Sequence, residues 1–454
     1  MNSALRSRLR RLLASDLLWG VAVGLPVAAF FTVRGPILTA DTGSYMEFSI
    51  FRDPLAPLFY GILRAALGPA AIPAAVFLQV AFTFLATARA ARAFAQTFDL
   101  PPLEMRLLHL VVFVPSLRFA PEIGSVALAF IFCILWLADA LRFLNEPQQP
   151  RHLAGMLLWQ TLALLTRSQA MVLVPFSLIL SLTSGNHRRR LLQVLGVAAS
   201  VAGAILLENV YQWEANGVFS PVRSSGVQLL TTVAYVMKEE DLASVPPGEE
   251  RSFAEAVYRQ AQKQGLLAWQ NPPHGIPQSQ HFGMAYNQLC WGIMVPQFSE
   301  TVLHRPTRGG MENLLHEMNP AEWRRLDECT TRVALHLLRA NFGRYVSHVA
   351  RCTYEMQKFF LILVCVLLGV GANLLRTARG LGGGLLLITG AWCANTLAVT
   401  LVEYPLTKYT YYFDIPVCAA ATAIFLAFQR LVPLGRREER SAPPDQKPEA
   451  VGEP

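Results

Sequence analysis

The chain has 454 residues, 53% hydrophobic and only 15% charged, with a formal net charge of +8. That balance is too apolar for a soluble protein of this length. The positive surplus does not indicate a nucleic-acid partner either, because excess Arg in an apolar chain is first of all a topology signal.

The apolar residues fall into runs of roughly 15–22 without charge, the length that crosses a bilayer as helix. The expected fold class is therefore an all-α polytopic membrane protein with about ten transmembrane helices. Met1 to Leu13 carries Arg6, Arg8, Arg10 and Arg11 and reads as a cytoplasmic anchor. No small-residue cleavage site follows its apolar run, so the first helix, from about Asp16 to Val33, is expected to be retained. The stretch Arg34 to Tyr60 then emerges on the far side with Asp41, Glu47, Arg52 and Asp53 among three prolines. Leu55 to Leu67 is amphipathic enough to lie in the interface. Further spans are expected at Ala70–Ala90, Arg106–Arg118, from Pro121–Glu122 to Arg142, at Leu153–Thr166, Ala170–Leu182 and Leu191–Leu207. The pair broken at Arg167-Ser168 is short for two crossings and is expected to turn inside protein.

Residues 208–348 are polar and mixed, long enough for a small, mostly helical extracytoplasmic domain. Within it, Asn319-Pro320-Ala321-Glu322 predicts a capped helix start, and Asn341-Phe342-Gly343 predicts a break. Cys290 and Cys329 lie in this region, where an oxidising compartment would permit a bond. Cys133, Cys365, Cys393 and Cys418 lie in apolar runs and read as small core residues. The chain then returns to the membrane over 349–430, in spans from Lys358, Leu381 and Phe413. The remainder, 431–454, is charged and proline-rich and reads as a disordered cytoplasmic tail. Residues 1–207 thus form an N-terminal membrane module with its first outer loop at 34–60, both termini inside, in a cell inner or plasma membrane.

Four separated places put polar groups at one expected depth: Asp41 to Asp53, Pro121-Glu122, Thr166-Arg167-Ser168 and Glu403 to Tyr409. Ionisable groups at the hydrocarbon edge are costly and point to function. A carboxylate there suits a general base for a hydroxyl acceptor, and Arg167 and Lys408 suit an anionic phosphate. Equally, Glu122 and Arg167 could pair inside the bundle and only set helix register. His274, His281, His304 and His316 match no helical metal motif, and no metal or cofactor is expected.

ADTGSY at Ala40–Tyr45 followed by FRDPLAPLFY at Phe51–Tyr60 resembles the first outer loop of GT-C-fold integral membrane glycosyltransferases. These include protein mannosyltransferase and aminoarabinose transferase-like membrane proteins. Gly155–Pro175 resembles the family's Gly-rich helix ending in Thr-Arg-Pro, with Ser168 in the place of Pro. PEIGSVALAF resembles its Pro-Glu span start. Lys408–Pro416 resembles a late Arg-Tyr element, with Lys in the place of Arg. The resemblance covers most of the membrane part in order and does not reach 208–348.

It implies transfer of a sugar from a polyprenyl-phosphate-linked donor to a lipid, glycan or protein acceptor on the extracytoplasmic face. Asp41 matches the catalytic Asp. Tyr45, Arg52, Glu122, Arg167, Glu403, Lys408 and Tyr409 would line the substrate cavity, with Arg52, Arg167 and Lys408 on the donor phosphate. The competing readings are a lipid or solute transporter and an inactive envelope-assembly scaffold. No internal repeat of the kind transporters show is visible between the halves.

Overall fold

The computed structural model describes residues 15–39, 41–183, 186–221, 224–270, 275–306, 318–402 and 407–431. Among them the regular elements are helices, and seven helices are long and apolar enough to span a membrane. The protein is an all-α polytopic membrane protein.

The first span is α1 (Leu17–Arg34), which contains a π-helical turn at Gly20–Gly24. It ends at Gly35, whose φ of +93° lies where L side chains are strained. A one-turn helix, α2 (Thr42–Met46), interrupts the loop that follows. Next, α3 (Leu55–Leu67) runs through a 3₁₀ turn into α4 (Ala71–Thr97), so the segment expected to lie in the interface is continuous with a span.

Helices α5 (Pro102–Ser116) and α7 (Pro150–Leu164) have 15 residues each, and α8 (Leu173–Thr183) has 11. At 1.5 Å per residue the longest of them spans about 22 Å, short of a ~30 Å hydrocarbon core. These are three of the crossings expected from sequence. They differ from the seven long helices because Pro115 at the end of α5 and the Arg167-Ser168 break cut them off.

Between them, α6 (Val126–Asn145) is the centre of the bundle, buried from Val126 to Leu141 on nearly every side. It packs against α4 and α7. α9 (His187–Asn216) flanks α7 and α8 and continues beyond the expected end at Leu207. Its apolar residues stay outward, Leu206 being 55% exposed, as a lipid-facing helix requires.

The polar region contains α10 (Ser225–Tyr235), α11 (Glu249–Lys263), α12 (Gln278–Asn287) and α13 (Val295–Thr301), the last two joined by a π-helical stretch. It has its own hydrophobic core, including Phe253, Phe282, Phe298 and Trp323. Cys290 and Cys329 are separate, buried thiols within that core. Of the other cysteines, Cys133 is buried as expected, whereas Cys365 and Cys393 are exposed on helix faces. The correction follows from an apolar run of sequence not distinguishing lipid-facing from core positions.

The 55-residue α14 (Pro320–Leu374) joins this region to the membrane. Its start is the expected capping box: Asn319 Oδ1 accepts from the Ala321 and Glu322 N–H groups, and Glu322 Oε2 accepts from the Asn319 N–H at 3.0 Å. The expected break is a kink, with Asn341 at φ −117° inside an otherwise continuous helix. The bundle closes with α15 (Arg379–Val402) and α16 (Thr407–Leu431), packed on each other and, for α16, on α5.

One buried ion cluster locks the bundle away from the polar region. Asp139 of α6 is fully buried and accepts from Arg89 of α4 at 2.6 and 2.8 Å and from Trp159 of α7 at 2.9 Å, with Arg142 at 3.4 Å. Gly155 makes the approach of α7 possible: a Cβ there would lie 2.2 Å from Asp139 Oδ2. Gly155→Ala is therefore expected to destabilise the bundle by about 1–3 kcal/mol. A thermal midpoint in detergent unchanged from wild type would contradict this.

Candidate functional site

The loop between α1 and α3 is stitched to the segment before α6. The Ile37 N–H donates to Pro121 O and the Ile123 N–H to Ile37 O, both at 3.0 Å, forming an isolated parallel bridge between Ile37 and Glu122. Thr42 Oγ1 donates to Ile123 O at 3.2 Å. Tyr60 of α3 grips the same segment. Its hydroxyl donates to Gly124 O at 2.8 Å and accepts from the Gly124 N–H at 2.9 Å and from Gln79 Nε2 at 2.8 Å. Two loops distant in sequence are thus joined by backbone and side-chain hydrogen bonds into one floor.

A third segment joins from the α7–α8 break. The Leu55 N–H donates to Leu165 O at 2.9 Å, and the Ser168 N–H to Asp53 Oδ2 at 3.3 Å. The fourth comes from α15 and α16: Gln169 Nε2 donates to Asn395 Oδ1 at 2.6 Å and to Tyr409 O at 3.1 Å. The described residues of all four polar places expected from sequence, the last of them represented by Tyr409, therefore meet at one end of the bundle.

The charged centre is built on this floor. Arg52 is 21% exposed and donates to Asp41 Oδ1 at 2.7 Å, to Ser44 Oγ at 2.6 Å and to Tyr45 OH at 3.3 Å. Its guanidinium also lies over the Tyr45 ring, 4.4 Å from the centroid. Burial pulls the Arg52 pKa down, but Tyr45 and Asp41 more than offset it and hold it above its ordinary value. Arg167 lies over the Tyr409 ring at 4.2 Å and reaches Ser125 Oγ at 3.4 Å. Ser125 Oγ in turn shares a 2.8 Å hydrogen bond with Tyr45 OH. Two guanidiniums, each held on a tyrosine face, thus connect through Ser125, and each lies within reach of the other's charge.

Of the residues expected from sequence, Asp41, Tyr45, Arg52, Arg167 and Tyr409 belong to this one cluster. Glu122 borders it: its backbone forms the bridge to Ile37 and its carboxylate lies against Gly124. Glu403 and the side chain of Lys408 lie outside the described residues. His274 and His316 also lie outside them, and the His281 ring is taken by Tyr235 OH at 2.7 Å. Among the described residues no three His, Cys, Asp or Glu side chains converge as a metal shell, and Asp41 is ion-paired with a cation, Arg52.

Three residues that sequence reasoning passed over complete the site. Gln169 and Asn395 tie the α7–α8 break to Tyr409. Asp53 was visible as an acidic residue in the loop, but nothing in the run Arg-Asp-Pro tells which carboxylate faces inward. Its Oδ1 is buried without a hydrogen-bond partner, as are Thr39 Oγ1 and the hydroxyls of Tyr211 and Tyr412. Burial pushes the Asp53 carboxyl up to about 7, with the charge of Glu208 adding to the rise. Arg167, the Ser168 N–H and Arg52 pull the other way.

The loop is also coupled to the polar region. Phe51 packs edge-on against Trp323 at 4.4 Å and Trp291 at 5.9 Å. From α9, Gln212 donates to the carbonyls of Ile50 and Arg52, both at 3.3 Å. Compared with protein-family models, characterised proteins and solved structures, the chain matches none.

Proposed function

We propose that this membrane protein is a glycosyltransferase of GT-C-like architecture, moving a sugar from a polyprenyl-phosphate-linked donor to an envelope acceptor on the extracytoplasmic face. The observation that carries the reading is the pairing of two fixed guanidiniums, Arg52 and Arg167, with the Asp41 carboxylate in one cluster at the end of an apolar bundle. A lipid-linked phosphate needs both halves of that arrangement: hydrocarbon walls for the prenyl chain and preorganised cations for the phosphate.

In the transfer, the acceptor oxygen bonds to the sugar's anomeric carbon as the bond from that carbon to the phosphate oxygen breaks. Negative charge grows on the departing phosphate, where Arg167 and Arg52 stabilise it without reorganising, since Tyr409 and Tyr45 already hold them. Lys408 would add a third cation, and Glu122 would border the sugar. Asp41 would orient the acceptor hydroxyl or take its proton. The polar region, in contact with the loop through Phe51, would select the acceptor. Ten crossings in all would need the short helices α5, α7 and α8 to complete their passage within protein rather than lipid. The gathering of polar groups at one end of the bundle, and not midway along it, weighs against a transporter.

The test is a panel of polyprenyl-phosphate sugars presented to the purified protein in lipid, scoring release of free lipid phosphate. Release by wild type is expected from at least one donor, with a loss of roughly 100-fold in Asp41→Asn. An Asp41→Asn protein that inserts normally and keeps full transfer activity would overturn its assignment.

A further inference from the structure

The ion-paired carboxylate of the site, Asp41, is not the only one in it. Asp53 lies in the same loop as Asp41, bonded to the α7–α8 break and next to Arg52, whose carbonyl accepts from Gln212 of α9. One of its oxygens, Oδ2, accepts the Ser168 N–H; the other, Oδ1, is buried and unpartnered. An orphaned carboxylate oxygen inside protein is costly, and a cost of this kind is kept where a ligand or a reacting group meets it. A second orphan, the Tyr211 hydroxyl of α9, lies close enough to feel the charge of Asp53. Asp41 differs: its Oδ1 is already engaged by Arg52 at 2.7 Å.

We propose that Asp53, and not Asp41, is the proton acceptor for the incoming hydroxyl, and that Asp53 and Tyr211 form the acceptor subsite on the α9 side of the loop. The assignment rests on the transferase reading above. The acceptor O–H bond breaks and its proton passes to Asp53 Oδ1. The oxygen's electron pair forms the new bond to the anomeric carbon, and the pair of the broken bond leaves with the lipid phosphate. Asp41 is then a positioning residue that holds Arg52. The acceptor is a hydroxyl compound: a carboxylate oxygen takes the proton of an O–H group, and a tyrosine hydroxyl can donate to the oxygen that remains.

The environment suits this role. A carboxyl that titrates near 7 is matched to proton transfer at neutral pH. Asp53 accepts a proton only when ionised. Below about 7 it is protonated, so the rate should fall about tenfold for each further pH unit and level off above 7. The charged and titratable groups that face it are Glu208 and Tyr211 from α9, Arg167 from the break, and Arg52 from its own loop.

The experiment measures transfer between pH 5 and 9 in lipid for wild type, Asp53→Asn, Asp53→Glu, Tyr211→Phe and Asp41→Asn, together with donor binding. Asp53→Asn should lose at least 100-fold in rate and lose the pH rise, yet bind donor within twofold of wild type. Asp53→Glu should keep the rise at reduced rate. Tyr211→Phe, the milder change should Asp53→Asn fail to fold, should raise the KM for acceptor about tenfold with donor binding unaltered. The residual activity of Asp41→Asn should keep the wild-type pH midpoint. If Asp53→Asn turns over within threefold of wild type and retains the rise, or if Tyr211→Phe leaves the acceptor KM unchanged, the assignment is wrong while the transferase reading stands. A wild type that neither binds donor nor releases lipid phosphate sinks both.

Discussion

Arg167→Ala is expected to reduce transfer by about 100- to 1,000-fold while leaving the fold intact. The size follows from where the side chain sits. Arg167 is placed by the break between α7 and α8, its guanidinium laid on the Tyr409 ring at 4.2 Å. That contact fixes its direction before any ligand arrives, so no ordering cost falls on the reaction. A guanidinium in fork geometry on a phosphate contributes charge-assisted hydrogen bonds of about 1.5–3 kcal/mol each, and two would account for the upper end of the range. Arg167→Lys should recover only part of the loss, since an ammonium keeps the charge but neither stacks flat on Tyr409 nor offers two parallel donors. Tyr409→Leu should lower the rate by less than Arg167→Ala, because it removes the support and not the charge. Single-turnover release of lipid phosphate, with donor binding measured alongside, reads all three. Wild-type rates in Arg167→Ala would remove the phosphate role from this residue.

The second large effect concerns Arg52. It donates to Asp41, Ser44 and Tyr45 together, so its removal leaves the Asp41 carboxylate without its 2.7 Å ion pair and the α2 turn without its tie. Arg52→Ala is expected to cost about 100-fold in transfer, of the same order as loss of a positioned donor. The pair should also be coupled. In a double-mutant cycle of Arg52→Ala and Asp41→Asn, the double variant should be little worse than the worse single one, because each acts through the other. Multiplicative losses would show that Asp41 and Arg52 work independently and that the ion pair is incidental. Half-exposure of Asp41, at 45%, keeps the stability part of this effect small, near the ~0–1 kcal/mol of surface pairs. A large fall in thermal midpoint would therefore contradict the expectation as clearly as an unchanged rate.

The amino-acid sequence by itself determined that this is an all-helical membrane protein. Runs such as Leu191–Leu207 have the length and composition of helices that cross a bilayer, and they recur along the chain. It also determined local punctuation: the Asn319 capping box depends on residues three apart, and the structure contains it bond for bond. The four polar places were legible for the same reason, since an ionisable residue between two apolar runs is conspicuous wherever it lies.

Only the tertiary structure decided how those places combine. Arg167 against Tyr409, Tyr60 gripping Gly124, and Asn395 holding Gln169 each join residues that no local rule links, separated by anything from 64 to more than 200 positions. The depth of crossing was likewise out of reach for α5, α7 and α8, because a 15-residue apolar helix reads alike whether it meets lipid or a neighbouring helix. Most of all, the two aspartates of the first loop look equivalent in sequence. What separates Asp41, half-exposed on an arginine, from Asp53, with one oxygen on the Ser168 N–H of the α7–α8 break and the other buried and unsatisfied, is the surroundings that tertiary packing gives each. Burial and charge act through space, and a carboxylate's chemistry follows from its neighbours rather than from its place in the chain.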